Sequence, residues 1–257
     1  MRAQDWGRRP HDWAELAEPS NEPLFAEVLA RLGIARGTRL LDVGCGSGYA
    51  ARMAARLGAF VTGLDITPEL LAIARERLPA GTFVEGEMDR LPFDDETFDA
   101  VVAFNALQFA DDPCAAVAEG RRVLRPGGLL AAATFAEAER NESTALHLAL
   151  ERLRSDAEDG PHRPYELSRP GGLEQLLDGA GVEPLMSGEV PLAWAHESVD
   201  DAVRAVLASG GGAMAVEAAG EAAARRALTE AVVPFTRPDG RVSMANVFRY
   251  AIGRRPA

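Results

Sequence analysis

Three glycines set two residues apart, Gly44, Gly46 and Gly48, follow the apolar run Leu40-Leu-Asp-Val43 and precede Tyr49 to Leu57, a stretch rich in Ala, Arg and Met. The run predicts the end of a buried strand, and the stretch behind it a helix. The loop between them has almost no side chains, so a ligand can approach its backbone closely. A dinucleotide loop needs G-x-G-x-x-G, with its last glycine packing helix on strand. Here Tyr49 stands at that place, and Asp42, two residues before the first glycine, is also foreign to the dinucleotide pattern. The next apolar run, Ala59-Phe-Val-Thr-Gly-Leu64, ends at Asp65. A carboxylate at the end of a second strand can accept both hydrogen bonds of a ribose diol, a charge-assisted pairing. Asp65 therefore indicates a nucleoside without saying which.

Candidates for proton transfer are few. All 27 basic residues are Arg, so neither a Lys base nor Schiff-base chemistry is available. The histidines are His11, His147, His162 and His196, all outside the glycine-loop region. His162 is the candidate catalytic or substrate-contacting group, because it lies in the irregular stretch Asp159-Gly-Pro-His-Arg-Pro164 near Tyr165. The plainer alternative is a solvated loop imidazole. Gln108 cannot act as a base but can orient an acceptor. Cys45 reads as a small buried thiol rather than a nucleophile.

These residues need a scaffold, and the pattern supplies one. Thr67 and Pro68 suit the cap and first turn of a helix. Thr82-Phe-Val-Glu85 predicts a third strand, followed by Gly86-Glu-Met-Asp-Arg-Leu-Pro-Phe93. Phe98 to Phe104 predicts a fourth, with Asn105-Ala-Leu-Gln108 just beyond it. Asp111-Asp-Pro113 starts a helix to about Leu124, and Leu124-Arg-Pro-Gly-Gly128 leads into a fifth strand, Leu129 to Phe135. Loops beyond the carboxyl ends of parallel strands are where open α/β sheets bind ligands.

Over residues 30–135, about half of the chain, this ordered set resembles the class I S-adenosylmethionine-dependent methyltransferases, whose first motif is similar to Leu40–Gly48. The resemblance implies an α/β, Rossmann-like, doubly wound sheet of seven mostly parallel strands with an antiparallel last strand, plus a helical lid. It implies S-adenosylmethionine as cofactor and S-adenosylhomocysteine as product. It assigns cofactor contacts to Asp42, Gly44, Cys45, Gly46, Gly48, Asp65, Ile66, Glu87, Met88 and Asn105. Asp42 would serve the methionine amino group and Asp65 the ribose. Glu87, where the family more often has Asp, and Met88 would frame the adenine. Asn105 would lie by the methionine portion or the substrate entrance. The expected reaction is in-line displacement of a methyl group by O, N or C of a small-molecule metabolite. Such a step depends on positioning more than covalent chemistry and needs a base only if the acceptor is protonated. The alternative is a methyltransferase-like protein that binds the cofactor but catalyses a non-methylating rearrangement or cyclisation, or acts as a binding protein, since cofactor binding and substrate chemistry use different residues.

Composition narrows the class further. A chain of 257 residues, 47% apolar, can bury a full core for one large α/β domain. It has no apolar run of 18 residues, its first residues lack a signal-peptide stretch, and its two cysteines make no disulfide framework. A cytoplasmic setting is expected. A net charge of −12 and a pI near 4.9 repel polyanions, so a small-molecule substrate is expected, with no nucleic acid or membrane partner. Asp94-Asp-Glu96 reads as a solvated turn, and no metal-ligand spacing is visible.

Four segments follow: an N-terminal helical or lid segment (1–32), a cofactor-binding core (33–135), a lid or substrate insertion (136–181) and a C-terminal completion of the sheet with helices (182–257). Trp6 and Trp13 either form part of a lid or pack on outer helices. Glu22–Leu32, Glu142–Arg154, Leu173–Ala180 and Ser198–Ala208 are expected helices. Gly210-Gly-Gly212 is an expected break before a helix from Glu217 to Val233. Val182–Trp194 predicts a sixth strand, and Val242–Ile252 an edge strand that the resemblance makes antiparallel.

Overall fold

Alternating and continuous apolar runs become strands in the computed structural model, which describes residues 3–154 and 167–257. His162 and Tyr165 lie outside the described residues. The N-terminal segment winds through α1 (Ala3–Trp6), α2 (Pro10–Asp12), a π turn (Trp13–Ala17) and a 3-10 turn (Glu18–Asn21) into α3 (Glu22–Arg31). Then follow β1 (Arg39–Val43), α4 (Tyr49–Arg56), β2 (Phe60–Asp65), α5 (Pro68–Arg77), β3 (Thr82–Glu85), β4 (Phe98–Phe104), α6 (Pro113–Val123) and β5 (Leu124–Phe135). The chain closes with α7 (Thr144–Leu153), α8 (Gly172–Gly179), β6 (Glu183–His196), α9 (Val199–Leu207), α10 (Gly210–Ala219), α11 (Glu221–Val232) and β7 (Val242–Arg254).

The seven strands form one sheet in the order β3-β2-β1-β4-β5-β7-β6. β1 to β5 pair in parallel, and β7 runs antiparallel to both β5 and β6. This is the expected Rossmann-like α/β architecture. Successive side chains point to opposite faces, and the core follows that alternation. Leu40, Val102 and Ala131 pack with α3 and α4, whereas Leu41, Val101 and Leu130 pack with α6 and α8. A third apolar cluster joins Leu146 and Leu150 of α7 to α9, α10, α11 and the start of β7. Helices from both sides of β6 in sequence thus share one body above the sheet edge.

Four details depart from the sequence expectations. β7 is an interior strand, and β6 is the edge, because the chain returns from β6 through α9, α10 and α11 and inserts β7 antiparallel between β5 and β6. Gly210-Gly-Gly212 opens a helix rather than breaking one. Ser209 accepts the Gly212 N–H, and a Cβ on Gly212 would strike the Val206 carbonyl, so the absent side chain lets α10 start tightly against α9. The helix expected from Glu217 to Val233 is two helices, interrupted at Gly220, where φ is +83°. Thr67 sits at the cap of α5, but its buried hydroxyl has no partner, and the Asp65 carboxylate takes the Thr67 N–H instead.

Candidate active site

β1 and β4 are neighbours whose connections leave in opposite directions, and ligands bind at such a switch point. The chain leaves β1 through Gly44, Gly46 and Gly48, with φ of +72°, +53° and +77°, values that glycine adopts without steric cost. Every backbone N–H of this loop already has a partner. Gly44 and Cys45 donate to the Leu64 carbonyl (2.8 and 3.0 Å), Gly46 to Asp65 Oδ2 (2.8 Å), Ser47 to Glu18 Oε1 (2.8 Å) and Gly48 to the Cys45 carbonyl (2.9 Å). A phosphate cradle needs such groups free, so this loop is not one. The space the glycines leave is filled by protein. A Cβ on Gly44 would lie 2.5 Å from Ala106 Cβ, on Gly46 2.5 Å from Glu18 Oε1, and on Gly48 3.0 Å from Ala74 Cβ.

Three buried carboxyl groups surround the loop. Asp42, 1% exposed, has an Oδ2 without a partner. Burial, followed by the nearby Glu18 and Asp65 charges, pushes its carboxyl up to about 8. Asp65 accepts N–H bonds from Gly46 and Thr67 (2.8 and 2.9 Å), yet burial outweighs them and its carboxyl is raised. Glu18 is raised too, by burial first, against the opposing effects of Ser47 and Arg77. Its carboxylate bonds the Ser47 hydroxyl, pairs with Arg77 Nη1 at 2.8 Å and accepts from Trp13 Nε1 at 3.2 Å. Arg77 also donates to the carbonyls of Ser47 and Ala14, both at 3.0 Å. The Cys45 thiol, buried beside these groups, is pushed well up and stays protonated. Unpartnered acceptors amid buried carboxyls suit a cationic ligand, because an uncompensated buried charge is costly.

Asn105, at the end of β4, has φ of +51°, a left-handed value uncommon outside glycine. Its N–H donates to the Ala133 carbonyl (2.9 Å), and its buried Oδ1 has no partner. Asp42, Gly44, Cys45, Gly46, Asp65, Ile66, Met88 and Asn105 all line one cavity. Gly48 and Glu87 do not: Gly48 packs on α5, and Glu87 is exposed between Gly86 and Met88. Gln108 lines the cavity and receives a weak 3.4 Å bond from Thr134 Oγ1. Trp6 and Trp13 line it as well, edge to face at 4.8 Å, with Phe109 5.3 Å from Trp6.

The cavity runs on to Phe135, His147, Trp194 and His196. His11 is exposed and does not line it. Among the described residues there is no cluster of His, Cys, Asp or Glu able to hold a metal ion. Asp95 and Glu96 instead pair with Arg122 (2.8 Å) and Arg255 (2.9 Å). Sequence reasoning did not find Glu18, Arg77 or Trp194 and gave His196 no role of its own, although all four reach the cavity or its loop from distant segments. A Glu five residues after Trp13 carries no local signature.

The profile of a family described as a methyltransferase domain matches residues 41–132. The chain is 38% identical over 141 residues to a malonyl-acyl-carrier-protein O-methyltransferase of Pectobacterium atrosepticum, covering 55% of this chain and 53% of that one. It is 45% identical over 94 residues to a demethylmenaquinone methyltransferase of Chlorobaculum tepidum, covering 36% and 39%. The chain thus spans about half the length of these curated relatives, or less. Among solved structures, the 4+2 cyclase SpnF shares the fold, with a TM-score of 0.59 at 24% identity over 91% of this chain and 80% of that one. No helix among the described residues is long and apolar enough to cross a membrane. Residues 41–132 thus carry a methyltransferase domain, and the ordered motifs and strand order around it are similar to those of the class I S-adenosylmethionine-dependent methyltransferases.

Proposed function

We propose that the protein transfers a methyl group from S-adenosylmethionine to O, N or C of a small-molecule acceptor, leaving S-adenosylhomocysteine, in the cytoplasm. The observation that carries this reading is the glycine loop itself. Its N–H groups are all used, while Asp42 and Asn105 line the same cavity, each with a buried side-chain oxygen that has no partner. A loop without free N–H groups beside unpartnered acceptor oxygens fits an ammonium and sulfonium ligand and disfavours a pyrophosphate. The family implies this cofactor, and the residues present fit it. When bound, it supplies an electrophilic methyl group on a positively charged sulfur.

The chain's own residues then have separate tasks. Asp42 receives the amino group and becomes ionised beside it. Asp65 keeps acceptor capacity for the ribose hydroxyls after its two backbone bonds. Met88 and Ile66 flank the adenine. Trp6 and Trp13 close the loop end against water. Alignment of acceptor and methyl supplies most of the rate. His162, outside the described residues, stays a proposed acceptor contact.

Isothermal calorimetry with S-adenosylhomocysteine, followed by tritiated-methyl transfer into metabolite extracts, tests the reading. Tight binding with labelled product supports it. A bound cofactor with neither labelled product nor S-adenosylhomocysteine formed would favour the non-methylating alternative.

A further inference from the structure

Besides the glycine-loop group, the same cavity is lined by Phe135, His147, Leu150, Trp194, His196 and Val206, a set we call its second compartment. Its floor is aromatic and fixed. Phe135 meets His147 edge to face at 5.5 Å and Trp194 at 5.8 Å, and it packs on Phe248 at 4.5 Å. The Trp194 indole N–H is directed to Asn21 Oδ1 at 3.4 Å, so this ring offers the compartment its apolar surface. Among the described residues, the charged side chains that line the cavity away from the glycine loop, Glu151 and Arg154, have opposite signs.

His196 ends β6 at 8% exposure. Burial holds its imidazole below the ordinary histidine range, so it is neutral at pH 7, although Asp201 acts the other way. Asp201 is itself engaged by the Ser198 hydroxyl (2.7 Å) and Arg204 (3.3 Å). A neutral imidazole carries one donor and one acceptor, which matches a hydroxyl group better than an ion. Among the described residues the lining away from the glycine loop holds one charged side chain of each sign rather than a matched set for either, so a fixed anion or cation entering here would lose most of its hydration uncompensated.

We propose that this compartment is the acceptor site, and that it selects an uncharged aromatic molecule bearing a hydroxyl group, which His196 binds. The assignment to the acceptor rests on reading the glycine-loop end as the cofactor site. Phe135 and Trp194 supply the stacking surface, and edge-to-face contacts add to area burial for a flat ring. His196 is a specificity residue that fixes which end of the ring system enters first.

The test is calorimetric titration of the full chain, saturated with S-adenosylhomocysteine, with 1-naphthol and with naphthalene-1-sulfonate. These probes share a ring system and differ in charge. Naphthol should bind, and the sulfonate at least about tenfold more weakly. His196→Phe should weaken naphthol about tenfold, the loss of one buried hydrogen bond. His196→Gln should recover part of that loss, and both variants should keep wild-type affinity for S-adenosylhomocysteine, which also shows that they fold. Equal affinity for the two probes, or an unchanged naphthol affinity in His196→Phe, overturns the proposal. If the wild-type chain fails to bind S-adenosylhomocysteine, the methyl-transfer reading falls. The same two titrations on the unloaded protein then decide the compartment's preference on their own.

Discussion

The Glu18 carboxylate accepts the Ser47 backbone N–H at 2.8 Å, tying the N-terminal segment to the glycine loop across 29 positions. Arg77 closes the arrangement from α5 at 2.8 Å. Glu18→Ala leaves a largely buried guanidinium and a loop N–H without their partner, a loss of about 3 kcal/mol by analogy with broken buried pairs. For a chain of this size that is a fall of about 6–12 °C in melting temperature. Glu18→Gln keeps an acceptor for Ser47 and should fall by less. Limited trypsin digestion should cut the alanine variant faster after Arg8, since Pro10 protects the Arg9 bond. Unchanged melting and digestion would show that this tie does not hold the segment.

Asp42 should make both stability and ligand binding depend on pH. Its carboxyl titrates at about 8 in the folded chain, against an ordinary value of 3.8. Between these values the folded state holds the extra proton, so stability is full below about pH 4 and declines as pH rises towards 8. Asp42→Asn removes that decline. Its melting advantage over wild type should be about 2–12 °C greater at pH 8.5 than at pH 5, corresponding to about 1–3 kcal/mol. Thermal melts from pH 5 to 9 check this. A ligand ammonium stabilises the ionised form. S-adenosylhomocysteine binding at pH 7 should therefore release a proton, seen as a buffer-dependent binding enthalpy, and affinity should rise with pH up to about 8. Binding without proton release would remove Asp42 from the site.

Asp65 presents the same carboxylate to Gly46 and Thr67 that is assigned to the ribose. Asp65→Ala should weaken S-adenosylhomocysteine by about 1.5–3 kcal/mol, about 10- to 150-fold. Asp65→Asn, with one acceptor oxygen left, should lose less. Near-normal affinity in the alanine variant would move the ribose elsewhere.

Gly46 is intolerant for a reason internal to the protein. At φ of +53° a side chain is strained, and its Cβ would lie 2.5 Å from Glu18 Oε1 and 3.4 Å from Trp13 Nε1. Gly46→Val should abolish detectable binding. Gly46→Ala should destabilise the chain and displace Glu18. The double variant Gly46→Ala/Glu18→Ala should then cost less than the sum of the two single losses, because they share one contact. Strict additivity in thermal melts would show that the two sites are independent.

Residues 33–135 were legible because their signals are local. A strand, a bare loop and a helix start occupy consecutive positions, and β1 to β4 fall where apolar periodicity places them. Asp112 caps α6 through the Cys114 and Ala115 N–H groups, as an acidic residue before Pro113 suggests. Glycine was the unreliable sign. Gly210–Gly212 can signal either a break or close packing, and only the approach of α9 to α10 decides between them.

Sequence by itself determined that strand 1 ends in a side-chain-poor loop and strand 2 in a carboxylate, because both depend only on neighbouring residue types. It could not set the insertion of β7 between β5 and β6, which depends on long-range pairing. Nor could it show that Glu18 takes the Ser47 N–H, or that Phe135, His147, Trp194 and His196 share one wall. Those contacts join segments up to about a hundred residues and more apart. The free energy that selects them comes from burial of the whole assembled surface, which no local pattern encodes.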